Sequence, residues 1–115
     1  MTMKKTFGIR AALVSVALAF SGGAAFAIDA DAAQALAKKS GCFKCHAVDK
    51  DKKGPSFAKT SAKLKGKADA LDEVIKVITT SPMVKFDDGS EEEHKAVKSD
   101  NKDEVKNLAE WILSH

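Results

Sequence analysis

The sequence Cys42-Phe43-Lys44-Cys45-His46 has the C-x-x-C-H spacing of a covalent haem attachment site. Two thiols three residues apart lie on one side of a single turn, so each can form a thioether with a vinyl group of the same porphyrin. The histidine that follows is then carried onto one haem face, where its imidazole can bind the iron. The motif therefore predicts one haem c, attached through Cys42 and Cys45 and ligated by His46, and the fold is expected to form around it.

The same cysteine spacing has two other uses in proteins. A redox-active dithiol of the thioredoxin kind lies in a βαβ unit, and no such pattern is found in this sequence. A structural zinc site needs four ligands, usually in paired spacings, whereas the chain has only two cysteines and three histidines. Haem attachment is the interpretation that the motif favours, with a dithiol and a zinc site as alternatives.

Residues 1–27 have the pattern of a secretory signal peptide. The segment has a positive start, a short apolar stretch and an A-x-A cleavage site, formed by Lys4, Lys5 and Arg10, by residues 11–20, and by Ala25-Phe26-Ala27. The apolar stretch is too short to span a bilayer. We therefore predict a cleaved signal peptide over residues 1–27, one domain over residues 28–115, a periplasmic location, and no stable membrane insertion after cleavage.

The charge balance changes once this segment is removed. Three of the 19 Lys and Arg residues lie in it but none of the 16 Asp and Glu residues, which leaves 16 of each sign in the domain. Without a net positive field, and without a basic stripe interleaved with aromatic residues, we expect no nucleic-acid partner. Two local patches remain, one of lysines around the C-x-x-C-H motif and one acidic: Lys38, Lys39, Lys44, Lys50, Lys52 and Lys53, and Asp87, Asp88, Glu91, Glu92 and Glu93.

Hydrophobic periodicity predicts an all-α domain. A first helix follows the capping residues at 29–31 and ends at Ser40-Gly41, and a second amphipathic helix covers residues 68–79. The last helix begins at Asn101 and runs to the C-terminus. Residues 57–64, after the break at Gly54-Pro55, form a short helical or irregular piece, and residues 83–99 form a long loop of the kind that is usually functional.

The domain resembles a class I cytochrome c of the small bacterial type over essentially its whole length. The resemblance is carried by residues 40–48, 54–57 and 105–114. It implies a small cytochrome c fold in which three to four helices surround one haem and the N- and C-terminal helices cross near Gly41 and Trp111. It also implies that the carbonyl of Pro55 accepts a hydrogen bond from Nδ1 of His46, which makes Pro55 part of the haem site.

The sixth iron ligand is where the sequence departs from that family, which usually supplies a methionine before the last helix. Met83 lies 28 residues before Trp111, farther than the family's methionine normally lies, whereas His94 lies 17 residues before it. We therefore expect His46 and His94 as the iron ligands, with Met83 as the alternative. The neighbouring Glu91–Glu93 would favour a protonated His94 and so compete with iron at low pH.

With both axial positions filled and no evident acid–base groups, we expect an electron carrier and not an enzyme. The prediction is a periplasmic one-electron carrier, a monomer that docks transiently on redox proteins through the exposed haem edge around Cys42, Phe43 and Lys44. Two alternatives remain open. The first is the cytochrome subunit of a periplasmic dehydrogenase or oxidase complex, and the second is a gas-binding haem sensor with a labile sixth position.

Overall fold

The computed structural model describes residues 27–115, so the predicted signal peptide lies outside the described residues except for Ala27. Four α-helices follow one another with a small hairpin before the last of them. Their bounds are α1 Ala30–Lys39, α2 Phe57–Leu64, α3 Ala70–Thr80, β1 Met83–Lys85, β2 Glu91–Glu93 and α4 Lys102–Leu113, with a 3-10 turn at Cys42–Lys44.

Side chains close in sequence cap the first and last helices. The Asp29 carboxylate caps α1 by accepting from the N–H of Ala32 at 3.0 Å, and two lysines in the last turn complement the helix dipole. Gly41 follows with φ 78°, a left-handed conformation that turns the chain into the C-x-x-C-H segment. The Asn101 side chain caps α4 by accepting from two of its backbone N–H groups.

The core forms where α4 packs against α1, α2 and α3. Ala33 and Ala37 of α1 and Leu108 and Ala109 of α4 have no exposed surface, and the small alanine side chains let the two helices approach closely. Asn107 fixes the start of α1, since its side chain accepts from the N–H of Asp29 and donates to the carbonyl of the same residue, both at 2.9 Å. The buried apolar faces of α1, α2 and α3 therefore pack largely against α4.

The hairpin is the one element that the sequence did not predict, because residues 83–99 were expected to form a loop. Its two strands are antiparallel, three residues each, with Val84 opposite Glu92. Runs of Glu have low strand propensity, and neither strand has a buried face that would produce alternation in the sequence. The turn at residues 86–90 makes the pairing possible, since Gly89 adopts φ 86° and the N–H of Phe86 donates to the carbonyl of Ser90 at 2.8 Å.

The prediction of a mainly helical domain with three to four helices is confirmed, with the hairpin as its departure. Residues 57–64, which the sequence left as helical or irregular, form a regular helix capped by the Ser56 hydroxyl. Among the described residues, no helix has both the length and the apolar composition needed to cross a membrane.

Candidate haem site

His46 is held from two directions immediately after the cysteine motif. Its Nδ1 donates to the carbonyl of Pro55 at 2.6 Å, the contact that the family resemblance implied. Its ring also stacks on Phe57, with ring centres 5.4 Å apart and planes 24° apart. The hydrogen bond sets the tautomer, so Nε2 is left free to bind a metal. The contact between Phe57 and His46 was not predicted from the sequence.

The loop that carries Pro55 is tied down by Asp51. Its carboxylate accepts from the N–H of Ser56 at 2.9 Å and from the Lys59 ammonium at 3.1 Å. These two contacts, with the backbone hydrogen bond first, lower the pKa of Asp51. Because the loop ends at Pro55, Asp51 helps to place the carbonyl that orients His46. Nothing in the local sequence distinguishes Asp51 from its charged neighbours, so it was not predicted.

His94 lies directly after β2 and is positioned by the end of α3. Its N–H donates to the carbonyl of Pro82 at 2.8 Å, and the N–H of Val97 donates to the carbonyl of Ile78 at 2.8 Å. The Nδ1 of His94 donates to the carbonyl of Lys95 at 3.0 Å. The arrangement matches that of His46, since a backbone carbonyl occupies Nδ1 and leaves Nε2 free.

Burial of His94 lowers the pKa of its imidazole, the hydrogen bond to Lys95 opposes that effect, and the nearby His46 lowers it further. The expectation that Glu91–Glu93 would favour the protonated form is therefore wrong, because all three side chains are exposed and do not contribute to the shift. A neutral imidazole is the form that binds metals.

The two imidazoles lie close together, and both line the same two cavities. Their ring centres are 6.1 Å apart. An imidazole nitrogen binds a metal ion at about 2 Å, so two imidazoles on opposite sides of one ion have ring centres on the order of 6 Å apart. The observed separation fits one iron ion between His46 and His94.

Two cavities meet at these histidines. The α2–α3 cavity, about 450 Å³, and the hairpin cavity, about 320 Å³, share four lining residues: Cys42, His46, Pro55 and His94. Apolar side chains from α2, α3 and α4 line the first cavity, including Leu64, Val74, Ile78 and Ile112. A flat apolar macrocycle attached at the cysteines fits this continuous space.

The cysteines lie beside this space. Burial raises the pKa of the Cys42 thiol, and the neighbouring Cys45 raises it further, against a backbone hydrogen bond that lowers it. A redox-active dithiol depends on a lowered thiol pKa, so the raised pKa of Cys42 does not favour that alternative. Within residues 27–115 no three His, Cys, Asp or Glu side chains come together to hold a metal ion, which leaves a zinc site without its ligands.

Met83, the alternative sixth ligand, lies elsewhere. It belongs to β1, opposite Glu93, and 60% of its surface is exposed. It lines neither of the two cavities that contain the histidines. His94 therefore lies at the site in this structure and Met83 does not.

The predicted lysine patch is only partly assembled. Lys38, Lys39 and Lys44 line one depression of about 290 Å³ together with Lys95 and Lys98, two lysines that the sequence analysis did not include. This lysine depression contains no carboxylate and adjoins the cysteines through Gly41. The other three lysines of the predicted patch do not line this depression. Lys50 is exposed, Lys52 donates to the carbonyl of Phe43 at 2.6 Å, and Lys53 lies over the ring of Phe86 at 5.7 Å.

The chain has clear relatives among known proteins. The family model "Cytochrome c" matches residues 30–115. Cytochrome c-551 of Azotobacter vinelandii is 33% identical over 80 residues, which are 70% of this chain and 93% of that protein.

Two solved structures show the same architecture. The class 1 cytochrome MtoD of Sideroxydans lithotrophicus ES-1 is 50% identical, with a TM-score of 0.74 over 76% of this chain and 97% of that one. Cytochrome c552 of Nitrosomonas europaea is 28% identical, with a TM-score of 0.55 over 70% of this chain and 96% of that one.

Proposed function

The chain belongs to the cytochrome c family, and on that premise we propose that it is a periplasmic one-electron carrier whose single haem iron is ligated by His46 and His94. Haem c is its cofactor, attached covalently through the thiols of Cys42 and Cys45. When bound, the haem supplies an iron ion that gains and loses one electron.

The observation that carries the proposal is the matched pair of imidazoles. Both Nδ1 atoms donate to backbone carbonyls, at 2.6 Å in His46 and 3.0 Å in His94, and the rings lie 6.1 Å apart. A fixed tautomer and a fixed ring orientation prepare each Nε2 to bind iron. Two ligands that stay in place through both oxidation states suit electron transfer, and they leave no open position for a substrate.

The surface of the protein supports transient docking. The lysine depression adjoins Cys42 through Gly41, so positive charge lies beside the edge at which the cysteines attach the haem. Such a patch speeds encounter with an acidic redox partner while keeping the complex weak enough to dissociate. A rate of electron exchange that falls as ionic strength rises would support this docking mode.

The ligand assignment is tested by two variants of the holoprotein. Ferric His94→Ala should lose the low-spin spectrum of the native protein, because the change removes the imidazole that is proposed as the second axial ligand. Met83→Leu is the matched control, since Met83 is exposed, and it should keep the spectrum and the midpoint potential. A red absorption band typical of a thioether–iron bond that disappears in Met83→Leu would overturn the assignment.

The carrier role is tested by a redox titration of the wild-type holoprotein. We expect one transition with a one-electron slope, at a lower potential than a His/Met carrier of the same family, because a second imidazole stabilises Fe(III) better than a thioether does. The ferrous protein should not bind CO at neutral pH. Rapid CO binding would instead favour a gas sensor.

Location and processing are tested by mass spectrometry of the periplasmic fraction. The expected species begins at Ile28 and carries one haem. Recovery mainly in washed membranes with Met1 retained would contradict both the cleaved signal peptide and the proposed location.

A further inference from the structure

The polar groups of the α2–α3 cavity are concentrated on one wall. Most of its lining is apolar, but α2 and the turn after it contribute Lys59, Thr60, Lys63 and Lys67, and α3 contributes Glu73. Three cations against one carboxylate leave this wall positively charged. These charged side chains are not part of the iron-ligand set, because neither His46 nor His94 lies on α2.

Two of these lysines already have partners. Lys59 pairs with Asp51 at 3.1 Å, and Lys67 pairs with Glu73 at 3.5 Å. Within residues 27–115, Lys63 pairs with no carboxylate. It therefore has a charge available to a ligand in the cavity.

Thr60 lies three residues before Lys63, on the same side of α2. Its side chain is half-buried and lines the cavity, yet its hydroxyl makes no hydrogen bond with the part of the chain that the structure describes. The hydroxyls of Thr79 and Thr80 in α3 differ, since each donates to a backbone carbonyl of its own helix. The Thr60 hydroxyl is thus a free donor beside a free ammonium group.

The proposed haem has a group of matching chemistry, so this inference rests on the proposed function. Protohaem carries two propionate carboxylates together along one part of its rim, apart from the vinyl groups that become thioethers. Cys45 lines only the hairpin cavity, so the α2 wall is separated from the second attachment point. We propose that Thr60 and Lys63 bind a haem propionate, the hydroxyl by a hydrogen bond and the ammonium by charge.

Such a contact has an electrostatic consequence. An unscreened propionate stabilises Fe(III), and a neighbouring cation offsets that effect, so loss of the cation should lower the midpoint potential. Lys63 is exposed on its outer side, so solvent and salt screen it and the shift should be modest. We expect a two- to fivefold change in the ratio of oxidised to reduced protein at a fixed potential, or roughly 20–40 mV for one electron.

The test compares Lys63→Gln and Thr60→Val holoproteins with Lys65→Gln, a variant with the same charge change at an exposed residue that does not line the cavity. Two properties are measured at low ionic strength: the midpoint potential, and the proton NMR resonances of the propionate methylene groups in the ferric protein. Lys63→Gln should lower the potential and move one set of these resonances. Thr60→Val should move the same set, and Lys65→Gln should move neither property.

Two results would overturn the assignment. Equal potential shifts in Lys63→Gln and Lys65→Gln, with unmoved resonances, would mean that both lysines act only as general surface charge. Resonances that move in Lys53→Gln but not in Lys63→Gln would place the carboxylates in the hairpin cavity, where Lys53 lies. If the variants keep a six-coordinate haem, either result overturns only the propionate assignment and leaves the proposed function intact. Failure of haem attachment in the wild type would contradict the proposed function itself.

Discussion

Replacing Gly54 by alanine tests the positioning of His46 most directly. An added Cβ would lie 2.5 Å from Cε1 and 2.9 Å from Nδ1 of the His46 ring. Carbon atoms in favourable contact are about 3.5–4.0 Å apart, so the overlap is on the order of 1 Å. The effect is steric, because the backbone at Gly54 does not adopt a left-handed conformation that alanine would avoid.

The loop has little freedom to relieve this overlap. The N–H of Gly54 donates to the carbonyl of Cys45 at 2.7 Å, and its own carbonyl accepts from the N–H of Lys52 at 3.0 Å. We therefore expect the His46 ring to move away from the Pro55 carbonyl. The loss of unfolding free energy should be about 1–3 kcal/mol, the usual cost of overpacking a fixed site.

Urea unfolding of the holoprotein measures the stability, and the ferric spectrum with the midpoint potential reports on the iron ligand. The control is Gly66→Ala, at φ 82° with no heavy atom within 4 Å of the added Cβ. That variant should lose about 1–2 kcal/mol through backbone strain and leave the spectrum and potential unchanged. If Gly54→Ala keeps wild-type stability, spectrum and potential, the steric reasoning about His46 is wrong.

Three further changes test other parts of the structure. Asn101→Ala removes the side chain that accepts two backbone N–H groups of α4 and should cost about 1 kcal/mol in thermal or urea unfolding; an unchanged midpoint would show that the cap contributes nothing. Ser81→Gly relieves a left-handed non-glycine residue at φ 50° and should raise stability by about 0.5–1 kcal/mol, whereas a loss would mean that the serine side chain is needed there. The Ser56 N–H and Lys59 lower the pKa of Asp51. The ionised carboxylate therefore stabilises the fold at any pH above the ordinary carboxyl pKa, and this stabilisation is lost as the pH falls through the lower pKa of the folded state. Stability measured against pH should therefore show a difference between wild type and Asp51→Asn that is constant near neutrality and shrinks in acid; a difference that persists unchanged at low pH would contradict the assigned pKa direction.

The helices were predictable because each depends on neighbours in the chain. Asp29 and Asn101 cap α1 and α4 within the next few residues, and the apolar spacing of α3 is visible in its own eleven residues. The hairpin was not predictable because it depends on contacts outside its own strands. Its three-residue strands have no buried face, and their pairing depends on a turn and on contacts at the end of α3.

The sequence is enough to predict the cofactor chemistry of this protein, since the two thiols and His46 lie within one turn and no distant residue can change their spacing. It also favoured His94 over Met83, but only by counting residues to Trp111. The tertiary structure decided what surrounds the iron site: Phe57 against His46, the Pro82 carbonyl behind His94, and Thr60 and Lys63 on one wall. A loop separates Phe57 from His46, a hairpin separates Pro82 from His94, and the wall of α2 lines a cavity that α3 and α4 also line. These arrangements therefore depend on tertiary packing that no local pattern records.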